Sequence, residues 1–111
     1  MKKVLTLCLA FMMVLALVGC SSVSDDDKVK MSRVINADLD AAKDGFDSEL
    51  WHAGSDFVHE HKGASEYHVT GTAHFTNSGN YDVDVFYIFV KQSDGSFYVY
   101  SREIDDFYKV D

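Results

Sequence analysis

The period of the hydrophobic pattern changes once along this chain, and that change limits the folds open to it. Between residues 28 and 62 the apolar residues Met31, Ile35, Leu39, Ala42, Phe46, Leu50, Ala53 and Phe57 recur at spacings of three and four. Such spacing lines one face of an α-helix. From residue 66 onward apolar and polar residues alternate, the repeat of a half-buried strand. A helical run followed by a run of strands specifies an α+β fold: one long N-terminal helix packed on a three- to four-stranded antiparallel meander.

The helix has start and stop signals. Asp25, Asp26 or Asp27 can cap its N-terminus, where negative charge meets the positive end of the dipole. His59, His61 and Lys62 fall in its last turn, and Gly63 can supply the left-handed stop. Gly45 and Gly54 each cost about 1 kcal/mol relative to alanine. The apolar stripe keeps its phase across Gly45, so one helix, bent at most, is expected there rather than two. Val34, Trp51 and Val58 lie off the stripe. His52, Asp56 and His59 would share a helix face, a spacing that zinc can use. That face lies opposite the apolar stripe, with no fourth ligand in the pattern, so it reads as solvated surface and no metal is expected.

The second half reads as hairpins. In "EYHVTGTAHFTN" the residues Tyr67, Val69, Ala73 and Phe75 face one way, and His68, Thr70, Thr72 and His74 the other. A loop over residues 78–80 would place Phe75 opposite Val83, Ala73 opposite Val85 and Val69 opposite Phe89. It avoids setting Phe75 and Ala73 against Asp82 and Asp84. Asp94-Gly95, between two strand-like runs, suggests a two-residue hairpin that pairs Phe89 with Tyr100 and Val90 with Val99. "DFYKV" at the end suggests a further short strand. On this register Tyr67, Tyr87, Tyr98 and Tyr100 fall with the core residues beneath the helix. Phe86, Ile88, Val90, Phe97 and Val99 gather on the other face. That second cluster is covered by the chain's own ends, buried by a second copy, or left as a contact surface for a partner or ligand.

Chemistry is sparse. The sequence has no Gly-x-Ser-x-Gly element, no phosphate-cradling glycine loop and no paired zinc motif. His74 and Asp84 become cross-strand neighbours in the expected register and could form a general-base pair. Surface pairs of this kind are more often simple charge pairs. No catalytic residue is therefore assigned, and no cofactor is implied.

The first twenty residues carry a more specific message. Lys2 and Lys3 precede an apolar run over residues 4–18, interrupted only by Thr6. That run is shorter than the ~20 residues needed to span a bilayer. It ends in Leu17-Val18-Gly19-Cys20 and then turns polar. A charged start, a short apolar core and small residues at its end describe a cleaved secretion signal. The motif resembles the lipobox of bacterial lipoproteins. The resemblance implies that residues 1–19 are removed and that Cys20 carries the lipid (diacylglyceryl plus an acyl chain such as palmitate). It also implies a membrane-anchored, extracytoplasmic protein. Ser21 after the cysteine suggests outer-membrane sorting if the host has two membranes; with one, the anchor would lie in the cell membrane. Residues 20–27 then form an acylated polar tether, and residues 28–111 a single domain. Cys8 leaves with the signal and Cys20 is acylated, so no intramolecular disulfide is expected.

Removing residues 1–19 takes two of the ten basic residues and none of the eighteen acidic ones, which leaves a net charge of −10. A charge of that sign disfavours nucleic acid and anionic lipid surfaces, and favours a basic protein partner. The order of one helix followed by "YHVTGTAHF", "YDVDVFYIFV", an Asp-Gly turn and "FYVYSREI" resembles small cystatin-like and NTF2-like lipoproteins, in which a curved sheet wraps a helix. The Gln-x-Val-x-Gly signature of cystatin inhibitors is missing from the chain, so protease inhibition is not carried over. Three functions fit the sequence. One is a non-catalytic protein-binding module of the immunity, exclusion or inhibitor type. Another is a small-ligand carrier with a pocket between helix and sheet, lined by Tyr67, Tyr87, Tyr98 and Tyr100. The last is an enzyme built on His74 and Asp84.

Overall fold

A computed structural model describes residues 23–110. The signal segment, the lipobox, Cys20 and Ser21 lie outside the described residues. Among the described residues one helix, α1 (Asp25–Asp47), precedes five strands: β1 (Trp51–His61), β2 (Glu66–Thr76), β3 (Asn80–Lys91), β4 (Phe97–Ile104) and β5 (Tyr108–Val110). The strands form one antiparallel sheet in the order β1-β2-β3-β4, with β5 paired to β3 beside β4. The α+β architecture of a helix on an antiparallel meander is therefore present.

The helix is shorter than its hydrophobic stripe suggests. Ser24, rather than one of the aspartates, caps it by accepting a hydrogen bond from the Asp27 amide at 3.2 Å. Asp25, Asp26 and Asp27 fill the first turn, where their charge meets the positive dipole end. Met31, Ile35 and Leu39 are fully buried against the sheet. Side chains of this size contribute about 1.5–3 kcal/mol each on burial. The helix ends at Asp47, and residues 51–61, expected to continue it, form the edge strand β1.

A β-bulge explains the misreading. The register of β1 against β2 shifts between His52 and Gly54. Leu50 and His52 therefore point inward before the bulge, and Phe57 points inward after it, an odd spacing that an unbroken strand forbids. The separation of seven between Leu50 and Phe57 suits two helical turns equally well. Trp51 and Val58, off the helical stripe, are the residues that face the other way. Consequently His52, Asp56 and His59 share no helix face. His52 stacks on Phe75 on the helix side, whereas Asp56 lies on the opposite side of the sheet. Burial, and next the charge of Lys28, lower the His59 imidazole below its usual range.

The β2–β3 hairpin turns through residues 77–79, closed by the Asn77 amide on the Gly79 carbonyl at 3.0 Å. Phe75 is opposite Tyr81, Ala73 opposite Val83 and Val69 opposite Tyr87. Each β2 residue thus meets a partner two residues earlier than expected. A slip of two preserves the faces, so the inward set Tyr67, Val69, Ala73, Phe75, Val83, Val85, Tyr87 and Phe89 is the core beneath the helix.

The β3–β4 hairpin departs more seriously. Its loop runs over residues 92–96, not a two-residue Asp94-Gly95 turn. The Gln92 amide donates to the Ser96 carbonyl, and Asp94 accepts bonds from the Ser96 amide and hydroxyl. These bonds hold the Asp94 carboxyl below the usual carboxylate range. Gly95 takes φ +88, which favours glycine. Phe89 pairs with Val99 and Ile88 with Ser101, which leaves Tyr100 as the extra residue of a bulge. The one-residue difference inverts the strand near the hairpin: Phe97 and Val99 pack against the core, while Tyr98 is 57% and Tyr100 70% exposed.

Polar clamps fix the helix on the sheet. Lys91 pairs with Asp27 at 2.9 Å, and Lys30 donates to the Gly95 carbonyl. The Tyr87 hydroxyl donates to Asp38 at 2.7 Å, and Arg102 reaches the same carboxylate at 2.8 Å. Burial above all, and then the Asp38 bond, push the Tyr87 hydroxyl far above its ordinary pKa.

Candidate functional site

The helix packs on one face of the sheet, and the opposite face carries no helix among the described residues. The strand register arranges it in rows. Moving across β1, β2, β3 and β4, one row holds Glu60, His68, Ile88 and Ser101, and the next Val58, Thr70, Phe86 and Glu103. Beyond them Asp56, Thr72 and Asp84 form a row, followed by Gly54, His74, Asp82 and Tyr108 of β5. Trp51, Thr76 and Asn80 close one end. Val90 and Tyr98, with Glu66, close the other.

Two zones result. Val58, Phe86, Ile88, Val90 and Tyr98 make an apolar zone. Asp56, Asp82 and Asp84 make an acidic band around His74. At the far end Trp51 of β1 and Tyr108 of β5 are exposed on opposite edges of the sheet, with β2 and β3 between them. Trp51, Val58, Tyr98 and Tyr108 are all at least 43% exposed. Among the described residues, the other exposed large apolar side chains are Val29, Phe46 and Tyr100. Of the five residues expected to form a contact patch, Phe86, Ile88 and Val90 lie on this face. Phe97 and Val99 do not, because the β4 bulge turns them inward. Other residues take their place on this face: Tyr98, turned outward before that bulge, and Val58 and Trp51, which helical spacing over β1 hides in the sequence.

The acidic band is built around one imidazole. His74 Nδ1 lies 2.8 Å from Asp82 Oδ1, and its Nε2 lies 2.9 Å from Asp56 Oδ2. The cross-strand carboxylate is thus Asp82, not the expected Asp84. Asp84 instead accepts the Thr72 hydroxyl at 2.7 Å and, more weakly, the Tyr108 hydroxyl at 3.4 Å. The two-residue slip of the hairpin accounts for the exchange. The hydrogen bond to Asp56, then that to Asp82, raise the His74 pKa. Loss of solvation and the Asp84 charge raise that of the Tyr108 hydroxyl.

Only an imidazolium can donate to both carboxylates at once; a neutral ring leaves one nitrogen lone pair facing an anion. Because the folded-state pKa lies above the unfolded value of about 6.5, the stabilisation is full below that value. It fades as pH rises through the folded-state pKa. The stability difference between the native chain and a His74→Gln variant is therefore expected to be largest in mildly acidic buffer and to shrink toward alkaline pH. Urea denaturation across that range measures it.

Tyr67 and Tyr87 lie in the core, whereas Tyr98, before the β4 bulge, and Tyr100, at the bulge, are exposed, so the four tyrosines do not converge on one cavity. Two open clefts flank the helix. One, of about 460 Å³, is lined by Phe46, Ile104, Asp105, Asp106 and Phe107 among others. The second, of about 380 Å³, lies between the helix and the β3–β4 loop, beside Lys30, Arg33 and Phe97. Among the described residues no group of three or more potential ligands is placed to hold a metal ion. No described helix is long and apolar enough to cross a membrane. No protein-family model matches the chain, and no curated protein or solved structure matches it either.

Proposed function

We propose that this chain is a lipoprotein, anchored through Cys20 outside the cytoplasm, that acts as a non-catalytic protein-binding module. The anchor rests on the lipobox resemblance of Leu17-Val18-Gly19-Cys20. The binding role rests on one observation: exposed Trp51, Val58, Tyr98 and Tyr108 accompany half-buried Phe86, Ile88 and Val90 on the sheet face opposite the helix. The cluster of Val58, Phe86, Ile88, Val90 and Tyr98, rimmed by polar groups, has the character of a contact site. Aromatic anchors of this kind commonly carry most of the binding energy. A small-ligand pocket lined by Tyr67, Tyr87, Tyr98 and Tyr100 has less support, because the first two are buried in the core and the last two are exposed.

Labelled palmitate is expected to attach to the native chain and not to a Cys20→Ser variant. Affinity capture from detergent-solubilised envelopes, with identification by mass spectrometry, should yield a discrete partner. A chain carrying Ile88→Asp and Val90→Asp should lose that partner while keeping its helix content and melting temperature. Unchanged capture by the double variant would refute the role of this face. Unfolding of the variant would show that these residues belong to the core.

A further inference from the structure

Charge is sorted between the two faces of the sheet. The basic residues of the strands are Lys91, Arg102 and Lys109, and all three occupy positions on the helix side. Two of them are engaged there, Lys91 with Asp27 and Arg102 with Asp38. The outer face carries Asp56, Glu66, Asp82, Asp84 and Glu103, and a buried Glu60; Glu60 is paired with Lys62 just beyond β1, and Glu66 with His68. Among the described residues the Asp84 carboxylate accepts from two hydroxyls, those of Thr72 and Tyr108. Asp56 and Asp82 share His74, and the Asp56 side chain is 87% exposed. Among the described residues no lysine or arginine pairs with Asp56, Asp82 or Asp84, and exposed apolar side chains lie beyond these three on both sides.

We propose that the outer face docks a cationic amphipathic segment of its partner, with lysine or arginine side chains on Asp56, Asp82 and Asp84 and apolar side chains on the zone around Ile88 and on Trp51. This rests on the protein-binding reading above and adds the partner's chemistry. Apolar contact supplies the bulk of such an interface, while the acidic band attracts and orients the partner. The docking is coupled to one proton. The groups facing His74 are Asp56 from β1 and Asp82 from β3, with Asp84 in the adjoining row and the Tyr108 hydroxyl of β5 nearby. When His74 is protonated it serves as the internal counter-ion of Asp56 and Asp82. When it is neutral, both carboxylates turn to an external ammonium or guanidinium. Binding should therefore strengthen as pH rises through the titration of His74.

The probe is a synthetic peptide of alternating leucine and lysine, with a leucine–glutamate peptide as control, titrated against the full chain in neutral detergent. Fluorescence anisotropy should show the lysine peptide binding at least about tenfold more tightly than the control, with loss of affinity as salt rises from about 0.05 to about 0.3 M. The affinity should rise severalfold between about pH 5.5 and about pH 8, and His74→Gln should flatten that rise. Combined Asp56→Asn and Asp84→Asn substitutions, both of partly or fully exposed carboxylates, should weaken binding about tenfold. Equal binding of the two peptides, or full affinity in the double asparagine variant, would overturn the proposal. Asp56→Asn alone, at so exposed a position, serves as the variant that leaves the sheet intact. If the asparagine variants keep the captured envelope partner while the Ile88 and Val90 variant loses it, the cationic docking fails and the protein-binding reading stands. If both variants keep it, both readings fail.

Discussion

Replacing Gly71 with alanine is expected to destabilise the domain by about 3 kcal/mol or more, the sum of a strained backbone and a steric overlap. For a domain of this size that corresponds to a melting temperature lower by about 10 °C or more. Gly71 sits in the middle of β2 at φ +156, opposite Phe57 of the edge strand. A Cβ there would lie 2.0 Å from the Asp56 carbonyl oxygen and 2.9 Å from Phe57 Cα. Both obstacles are backbone atoms, so no side-chain rotation relieves them. To admit the methyl group, β1 must move away from β2, and with it go Val58 and the Asp56 contact to His74. Gly54→Ala is the control, because a Cβ there has nothing within 4 Å. Thermal denaturation of the two variants side by side separates a required close approach from the general cost of changing a strand glycine.

Leu39→Ala is expected to cost about 2–5 kcal/mol, the range for emptying a leucine site in a packed core. Leu39 is fully buried, as are Ile35 one turn earlier and Met31 two turns earlier. These three join the helix to Val69, Val83, Val85, Tyr87 and Phe89 in one core cluster. The adjacent Asp38 is already held by Tyr87 and Arg102, so the backbone around residue 39 has little freedom to collapse into the void. Asp40→Ala, at an exposed position on the same turn, should change stability by less than about 0.5 kcal/mol. Chemical denaturation gives both values. A small loss at Leu39 would mean that the helix is loosely docked.

The inner face of β2 and β3 was legible because strict alternation fixes side-chain direction, and it survives a register slip of two residues. Val69, Ala73, Val83 and Val85 could be assigned to the core without knowing which faced which. Odd shifts were not legible. The bulge at His52–Gly54 let Leu50 and Phe57 mimic helical spacing, which concealed β1. The bulge at Tyr100, together with the longer loop at residues 92–96, inverted Phe97, Tyr98 and Val99. A bulge needs one residue to escape the ladder, and no residue type announces it as an Asp-Gly pair announces a turn. The candidate site inherits this division. Phe86, Ile88 and Val90 follow from alternation along one strand. The contributions of Val58, Trp51 and Tyr98, and the pairing of His74 with Asp82 instead of Asp84, depend on registers set by turn and bulge geometry. Hydrogen bonds such as those holding Asp94 and Ser96 stabilise the longer loop, and local alternation carries no trace of them.

The two faces of the sheet therefore have different tasks. The inner one takes up the helix, and lysine and arginine side chains clamp it there. The outer one presents aromatic and aliphatic groups around an anionic band, held out from a membrane by the proposed tether. The most direct measurement is site-specific photo-crosslinking in intact envelopes, with a photoreactive phenylalanine placed in turn at Ile88 and at Asp40. The account predicts a discrete protein adduct from position 88 that disappears with Val90→Asp, and none from position 40. Adducts of equal yield from both positions, or adducts from position 40 alone, would contradict it.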